Sequence, residues 1–243
     1  MNFINNMNSI FTFHNVLMTL KYLGKIKYFI QVGAHDGQMH DPLRHFITNN
    51  NWIGLLIEPQ IEMYQKCIKN YRNQKNLTFV NVALHPTESI ISLYKVSNPK
   101  DYSHTGWASV NLNRFENTIY KDNYIEEKVH SMHLMDVIKK NNFNDVDLLQ
   151  IDTEGYDWDI IQMFDFNLFQ PILIQYEHCH LTNQNNISSI NYLERLNYIC
   201  FQKRNDTFAI RKDIFDPFFF ISYIFVRISR SLKTRLGKIL CYL

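Results

Sequence analysis

Residues 28–37 read Tyr28-Phe-Ile-Gln-Val-Gly-Ala-His-Asp-Gly37, an apolar run that gives way to two glycines four residues apart. The chain of 243 residues holds only seven glycines, so this pairing is a concentrated use of a scarce residue. Taken alone it has two readings of equal weight. One is a plain turn from a strand into a helix; the other is a loop whose backbone must approach a ligand closely. The neighbouring elements decide between them.

Short apolar runs alternate with helical patterns from Tyr28 onward. Tyr28–Val32, Trp52–Glu58, Leu77–Ala83, Val146–Asp152 and Pro171–Glu177 read as strands, and Pro42–Asn49, Gln60–Tyr71, Tyr156–Phe164 and Ile187–Leu196 as helices. Near-continuous apolar strands separated by helices imply a parallel sheet covered on both faces, hence a doubly wound α/β layer. Tyr198–Lys203 and Thr207–Arg211, joined through Asn205-Asp206, read as a closing antiparallel hairpin. The stretch from Thr87 to Lys128 offers Ile90–Val96 as a strand and then polar sequence, and reads as an insertion over the ligand edge.

In such a sheet, ligands bind beyond the carboxyl ends of the strands. The Gly33–Gly37 loop is therefore placed to meet one, next to the free N–H groups of a helix start. The following strand ends in Glu58, about 20 residues on, where a carboxylate can accept from both hydroxyls of a ribose. The plainer role for Glu58 is an acid at a helix N-terminus. Loop and acid together imply a nucleoside-bearing cofactor, but GxxxG is not the GxGxxG of dinucleotide sites.

Six further pieces stand in order with this loop: DPL at 41–43, GLLIEP at 54–59, VNVALH at 80–85, MHLMDVI at 132–138, LLQIDTEGYDWDII at 148–161 and ILIQYEH at 172–178. The ordered set resembles the FkbM family of S-adenosylmethionine-dependent methyltransferases from about Tyr28 to Arg211. The resemblance implies a class I methyltransferase (Rossmann-like) fold: a doubly wound, mostly parallel seven-stranded sheet with an antiparallel C-terminal hairpin strand. It implies S-adenosylmethionine as cofactor and methyl transfer to an oxygen of a saccharide, glycolipid or natural product. Carried over by residue, Gly33, Ala34, His35, Asp36 and Gly37 wrap the methionine and ribose, Glu58 holds the ribose hydroxyls, and Val82 and Ala83 flank the adenine. Many class I methyltransferases have an acid where this chain has Gln31, and an amide accepts from an ammonium less strongly than a carboxylate.

Asp152, Glu154 and His178 are the candidate catalytic residues. The fold sets Asp152 beside the methyl donor, where a carboxylate can orient an acceptor hydroxyl or take its proton; its plainer role, shared with Thr153, is a helix cap. An unperturbed imidazole titrates near neutrality, which suits His178 to act as a general base. Asp152 with Glu177 or His178 offers ligands for a divalent metal, but no spacing forces it, and no metal is assigned. Trp107, Ser109 and Asn111 are candidates for lining an acceptor pocket.

Twenty-five basic and 23 acidic residues leave a formal charge of +2, which gives no argument for nucleic acid as a partner. Four scattered cysteines, Cys67, Cys179, Cys200 and Cys241, suit reduced thiols. The N-terminus lacks a basic n-region, and no run approaches the ~20 apolar residues of a bilayer span. The expectation is a soluble, cytoplasmic protein, with a reservation about its tail. Three segments are expected: an N-terminal helical extension (1–27), the methyltransferase domain (28–212) and a basic amphipathic C-terminal helix (213–243). In that helix Ile221, Ile224, Phe225, Ile228, Leu232, Leu236, Ile239, Leu240 and Leu243 share one face. Arg227, Arg230, Lys233 and Lys238 lie mostly opposite, with Arg235 near the border. Contact with an anionic membrane or a second copy is balanced evenly against packing on the chain's own sheet. The functional alternative to a methyltransferase is a non-catalytic nucleoside-binding module that acts as a partner protein through this helix.

Overall fold

The computed structural model of the chain describes residues 11–240, with side chains through residue 231. The start of the expected N-terminal extension, Cys241 and Leu243 lie outside the described residues, as do the side chains from Leu232 onward.

Helix α1 (Phe13–Tyr22) begins at Thr12, whose hydroxyl oxygen accepts the Asn15 N–H. It leads into β1 (Tyr28–Val32), α2 (Arg44–Asn49), β2 (Ile53–Ile57), α3 (Ile61–Asn70) and β3 (Leu77–Val80). After an excursion come α4 (Leu134–Lys140), β7 (Leu148–Ile151), α5 (Asp157–Met163), β8 (Leu173–Glu177), α6 (Asn183–Arg195), β9 (Tyr198–Lys203) and β10 (Asp206–Arg211). The seven strands order as β3-β2-β1-β7-β8-β10-β9. Every pairing is parallel except those of β10, which runs against both β8 and β9. This is the expected doubly wound sheet with its hairpin strand.

The alternation of side chains divides the apolar residues between two cores. Phe29, Leu56, Leu148, Leu173 and Phe208 face one core, shared with α1, α2 and the C-terminal helix α7 (Pro217–Leu240). Ile30, Leu55, Leu149 and Ile174 face the other, where Val137, Ile161 and Leu193 cover them. Burial on both faces is why these strands read as unbroken apolar runs.

The excursion departs from the sequence expectation in two places. Leu77–Ala83 is not one strand: β3 ends at Val80, and the next residue, Asn81, donates its amide nitrogen to the Glu58 and Pro59 carbonyls at 2.8 and 2.9 Å. β4 (Ala83–Leu84) then joins a second sheet, ordered β4-β6-β5. β5 (Ile90–Val96) falls where expected, but its partner β6 (Tyr124–Met132) begins inside the stretch taken for a polar insertion. Only Val129 and Ser131 of β6 are buried. A strand with so little apolar surface carries no periodic signal. Between them, two 3-10 turns, Tyr102–Gly106 and Leu112–Phe115, lie over the carboxyl edge of the large sheet.

Candidate functional site

Strand order reverses between β1 and β7, and a cavity of about 270 Å³ opens at the carboxyl ends there. The two glycines of the first loop serve it differently. Gly33 lines the cavity at φ 78°, and a Cβ on it would stand 1.8 Å from the Asp152 carbonyl oxygen. Only a glycine lets β1 and β7 end this close together. Gly37, at φ 66°, is outside the lining; a Cβ there would meet the Tyr71 ring at 2.4 Å. Ala34 and His35 line the cavity with Gly33, whereas Asp36 turns to the loop itself. One Asp36 oxygen accepts the N–H groups of Gln38 and Met39, and the other accepts the Tyr102 hydroxyl at 2.8 Å.

Glu58 lies where expected, 4% exposed at the cavity wall. Its two oxygens accept the backbone N–H groups of His35 and Gln60, each at 2.8 Å. Burial pushes its carboxyl up to about 7 against the pull of those two bonds, with the nearby Asp36 charge adding to the rise. Val82 and Ala83 line the same wall.

Gln31 is 2% exposed and belongs to the cavity lining. Its amide nitrogen donates to Asp41 Oδ1 at 2.9 Å, and a carboxylate oxygen can only accept, so this partner fixes which way the amide points. Asp41 is held in turn by the Leu43 N–H at 2.8 Å and the Tyr71 hydroxyl at 2.5 Å. The Gln31 carbonyl oxygen is left buried with no hydrogen-bond partner. An orphaned acceptor beside the glycine loop suits a ligand that brings a strong donor.

On the β7 side, Asp152 is exposed to the cavity and stands beside other acids. Burial, then the charges of Glu177, Glu154 and Asp157, raise its carboxyl well above the usual range. Carboxylate oxygens of Asp152, Glu154 and Glu177 lie within 4.8 Å of one another. Glu154, in the left-handed region at φ 55°, takes Arg114 Nε at 2.6 Å and faces His180 Nε2 at 3.3 Å. Its backbone carbonyl accepts the Ser109 hydroxyl at 2.9 Å. Arg114 also stacks over the Trp107 ring. Glu154 thus ties the two-turn segment down over the cavity.

Neither Asp152 nor Thr153 caps α5, whose N-cap position is Tyr156 with no side-chain cap. Asp157, fully buried, accepts the Thr153 hydroxyl at 2.8 Å and the Glu177 N–H at 3.0 Å, which locks the ends of β7 and β8 together. Gln150 adds a second buried carbonyl oxygen in the lining without a partner. His178 is not part of the lining: its Nδ1 pairs with the Thr207 hydroxyl at 3.0 Å, and burial lowers its pKa. Trp107 and Ser109 line the cavity, while Asn111 instead caps the second 3-10 turn. His180 shows in the sequence only as the end of the Glu177–His180 run, and Arg114 and the Asp41–Tyr71 pair are not marked as site residues there. DPL at 41–43 is the only sign of Asp41, and nothing local marks Arg114 or Tyr71.

The family described as "Methyltransferase FkbM domain" matches residues 31–205, most of the chain and all of the site's strand ends. The chain belongs to the FkbM methyltransferase family. No curated protein matches it. Among solved structures, the FkbM methyltransferase of Methylobacillus flagellatus KT is 11% identical with a TM-score of 0.47, over 76% of this chain and 44% of that one. The fibrillarin/Nop5p complex gives 12% identity and a TM-score of 0.41 over 77% and 73%. The N-terminal domain of human METTL16 in complex with SAH gives 13% and 0.42 over 80% and 66%. The chain thus spans less than half of the solved FkbM structure. FkbM membership implies S-adenosylmethionine as methyl donor, and the cavity fits it on two counts. The backbone of Gly33 lines the cavity directly, and Gln31 offers a buried acceptor that lacks a donor.

Proposed function

We propose that the chain transfers a methyl group to a hydroxyl oxygen of a saccharide or related acceptor. The observation that carries this reading is the β7 side of the cavity, where acceptor atoms stand without donors. Asp152 opens there, and the Gln150 carbonyl oxygen is buried and unpaired. Hydroxyl groups are the donors such an edge lacks.

Gly33, Ala34 and His35 would hold the methionine and ribose part of the cofactor, Glu58 the ribose hydroxyls, and Val82 and Ala83 the adenine. Bound there, S-adenosylmethionine supplies a methyl group on a positively charged sulfur. Asp152 accepts the hydrogen bond of the acceptor hydroxyl and takes its proton at a carboxylate oxygen. Burial and then the surrounding acids raise its pKa, which makes it a stronger base than an ordinary carboxylate. Glu154 is a positioning residue, holding Arg114 and the cover segment in place. His178 faces Thr207, and we assign it no proton transfer.

The test is calorimetry with S-adenosylmethionine and S-adenosylhomocysteine, followed by label transfer from methyl-labelled donor to a glycan and glycolipid extract. Asp152→Asn should keep donor affinity and lose about 100-fold or more in transfer, the range expected for a general base. Absence of binding to either compound, or undiminished transfer by Asp152→Asn, overturns the reading.

A further inference from the structure

Helix α7 has two apolar faces, and among the described residues the chain's own body covers one of them. Phe219, Ser222, Tyr223 and Val226 are buried. Tyr223 packs its ring 4.4 Å from Phe11, just ahead of α1, and Phe219 joins the same cluster. This contact answers the sequence question in part: the helix does pack on its own domain. It does so with a face other than the one the periodicity singled out. Phe218, Ile221, Ile224, Phe225 and Ile228 stand 55–66% exposed along the opposite side. At 3.6 residues per turn they span an arc of about 120°. Tyr22 of α1, 62% exposed, lies 6.0 Å from the Phe225 ring and widens the patch.

We propose that this face lies in the interface of an anionic lipid membrane. Charge selects the occupant. From Pro217 to Leu243 the sequence carries Arg227, Arg230, Lys233, Arg235 and Lys238 and no acid. Arg227 and Arg230 are exposed, and Arg230 also donates to the Asn15 side-chain oxygen of α1. A second copy docked here across a two-fold axis would bring two such cationic helices together, with no acid on either to relieve the repulsion. An anionic lipid surface instead meets the bases with phosphates while its acyl region receives the phenylalanine and isoleucine side chains. Among the described residues no helix is long and apolar enough to cross a membrane, so the contact is peripheral. It would hold the catalytic domain at a surface where glycolipid acceptors are concentrated. The membrane contact itself does not depend on the methyl-transfer reading.

The experiment is co-sedimentation of the full chain with vesicles of phosphatidylglycerol and phosphatidylcholine, against vesicles of phosphatidylcholine alone. Wild type should pellet with the anionic vesicles and at least about tenfold less with neutral ones, with binding weakened by salt. Ile221→Ser combined with Phe225→Ser changes only exposed positions, so melting temperature and circular dichroism should stay unchanged while vesicle affinity falls about tenfold or more. Equal binding to both vesicle types, or no binding, overturns the proposal. A concentration-dependent dimer abolished by the double variant, without vesicle binding, overturns it in favour of a second copy. Vesicle binding that appears only after removal of residues 1–10 also overturns it, assigning the face to that segment.

Discussion

Gln31 shows how a residue can replace another type without reproducing it. Asp41 binds the amide nitrogen, so the negative charge sits one residue behind the carbonyl oxygen that faces inward. Polarisation along such a chain strengthens the outer acceptor. Set against the ammonium of the cofactor's methionine end, that oxygen would accept a hydrogen bond from a charged group, which contributes about 1.5–3 kcal/mol. Gln31→Met keeps the volume and removes the acceptor. Calorimetry should then show affinity for S-adenosylmethionine falling by about tenfold or more, with 5′-methylthioadenosine, which lacks the ammonium and carboxylate, unaffected. Equal losses for both ligands would mean that Gln31 acts through the shape of the loop. Gln31 itself stood out in the sequence as a departure. Its remedy did not, because the Gln31–Asp41–Tyr71 chain depends on how the loop folds back. Glu58, Gly33 and Asp152 were legible for the opposite reason: each ends an apolar strand run, and strand ends are where this topology puts its ligands.

The elements of the large sheet were readable because burial on both faces writes itself into sequence as unbroken apolar runs. β6 was not, with two buried residues in nine, and neither was the segment it returns from, which is held by the Arg114–Glu154 pair across 40 positions. The C-terminal helix was legible as an element and misleading as a surface. Its strongest apolar stripe faces outward, while the buried face includes Ser222 and so scores as less apolar. The loop after β1 offers a test at this scale. Gly33→Ala sets a methyl group against the backbone of β7, which cannot yield without separating the strands. Gly37→Ala meets the Tyr71 ring and the Cys67 sulfur, side chains that can shift. Urea unfolding should show Gly37→Ala destabilised by about 2–3 kcal/mol, from backbone strain and overpacking, and Gly33→Ala destabilised by more or absent from the soluble fraction. Similar midpoints for the two variants would remove the distinction between cavity glycine and packing glycine.

Across the whole molecule, acids are gathered at the carboxyl edge of the sheet and their titration sets how stability responds to pH. Burial pushes Glu58 up to about 7, and burial with the charges of Glu154 and Asp157 pushes Glu177 up to about 8. Asp152 and Asp206 are raised as well, by burial first. An acid with a raised folded value keeps its proton where the unfolded chain has released it, so the folded state binds more protons and stability falls as pH rises. Histidines buried as neutral rings, His35, His178 and His180, act in the opposite sense, since the unfolded chain protonates them first. Their contribution is complete once the pH passes the ordinary histidine value of about 6.5. Above that point only the acids with the highest values still titrate. Unfolding free energy should therefore decline by about 2 kcal/mol between roughly pH 6.5 and pH 8, at about 1.4 kcal/mol per unit for each such group. Glu177→Gln preserves the side-chain shape and removes one of those titrations together with its repulsion of Asp152. Its decline should be visibly shallower, and the variant should exceed wild type at the alkaline end. Stability that stayed level or rose over this interval would show that the acids at the sheet edge are already ionised at neutral pH, which would also remove the raised basicity on which the role of Asp152 rests.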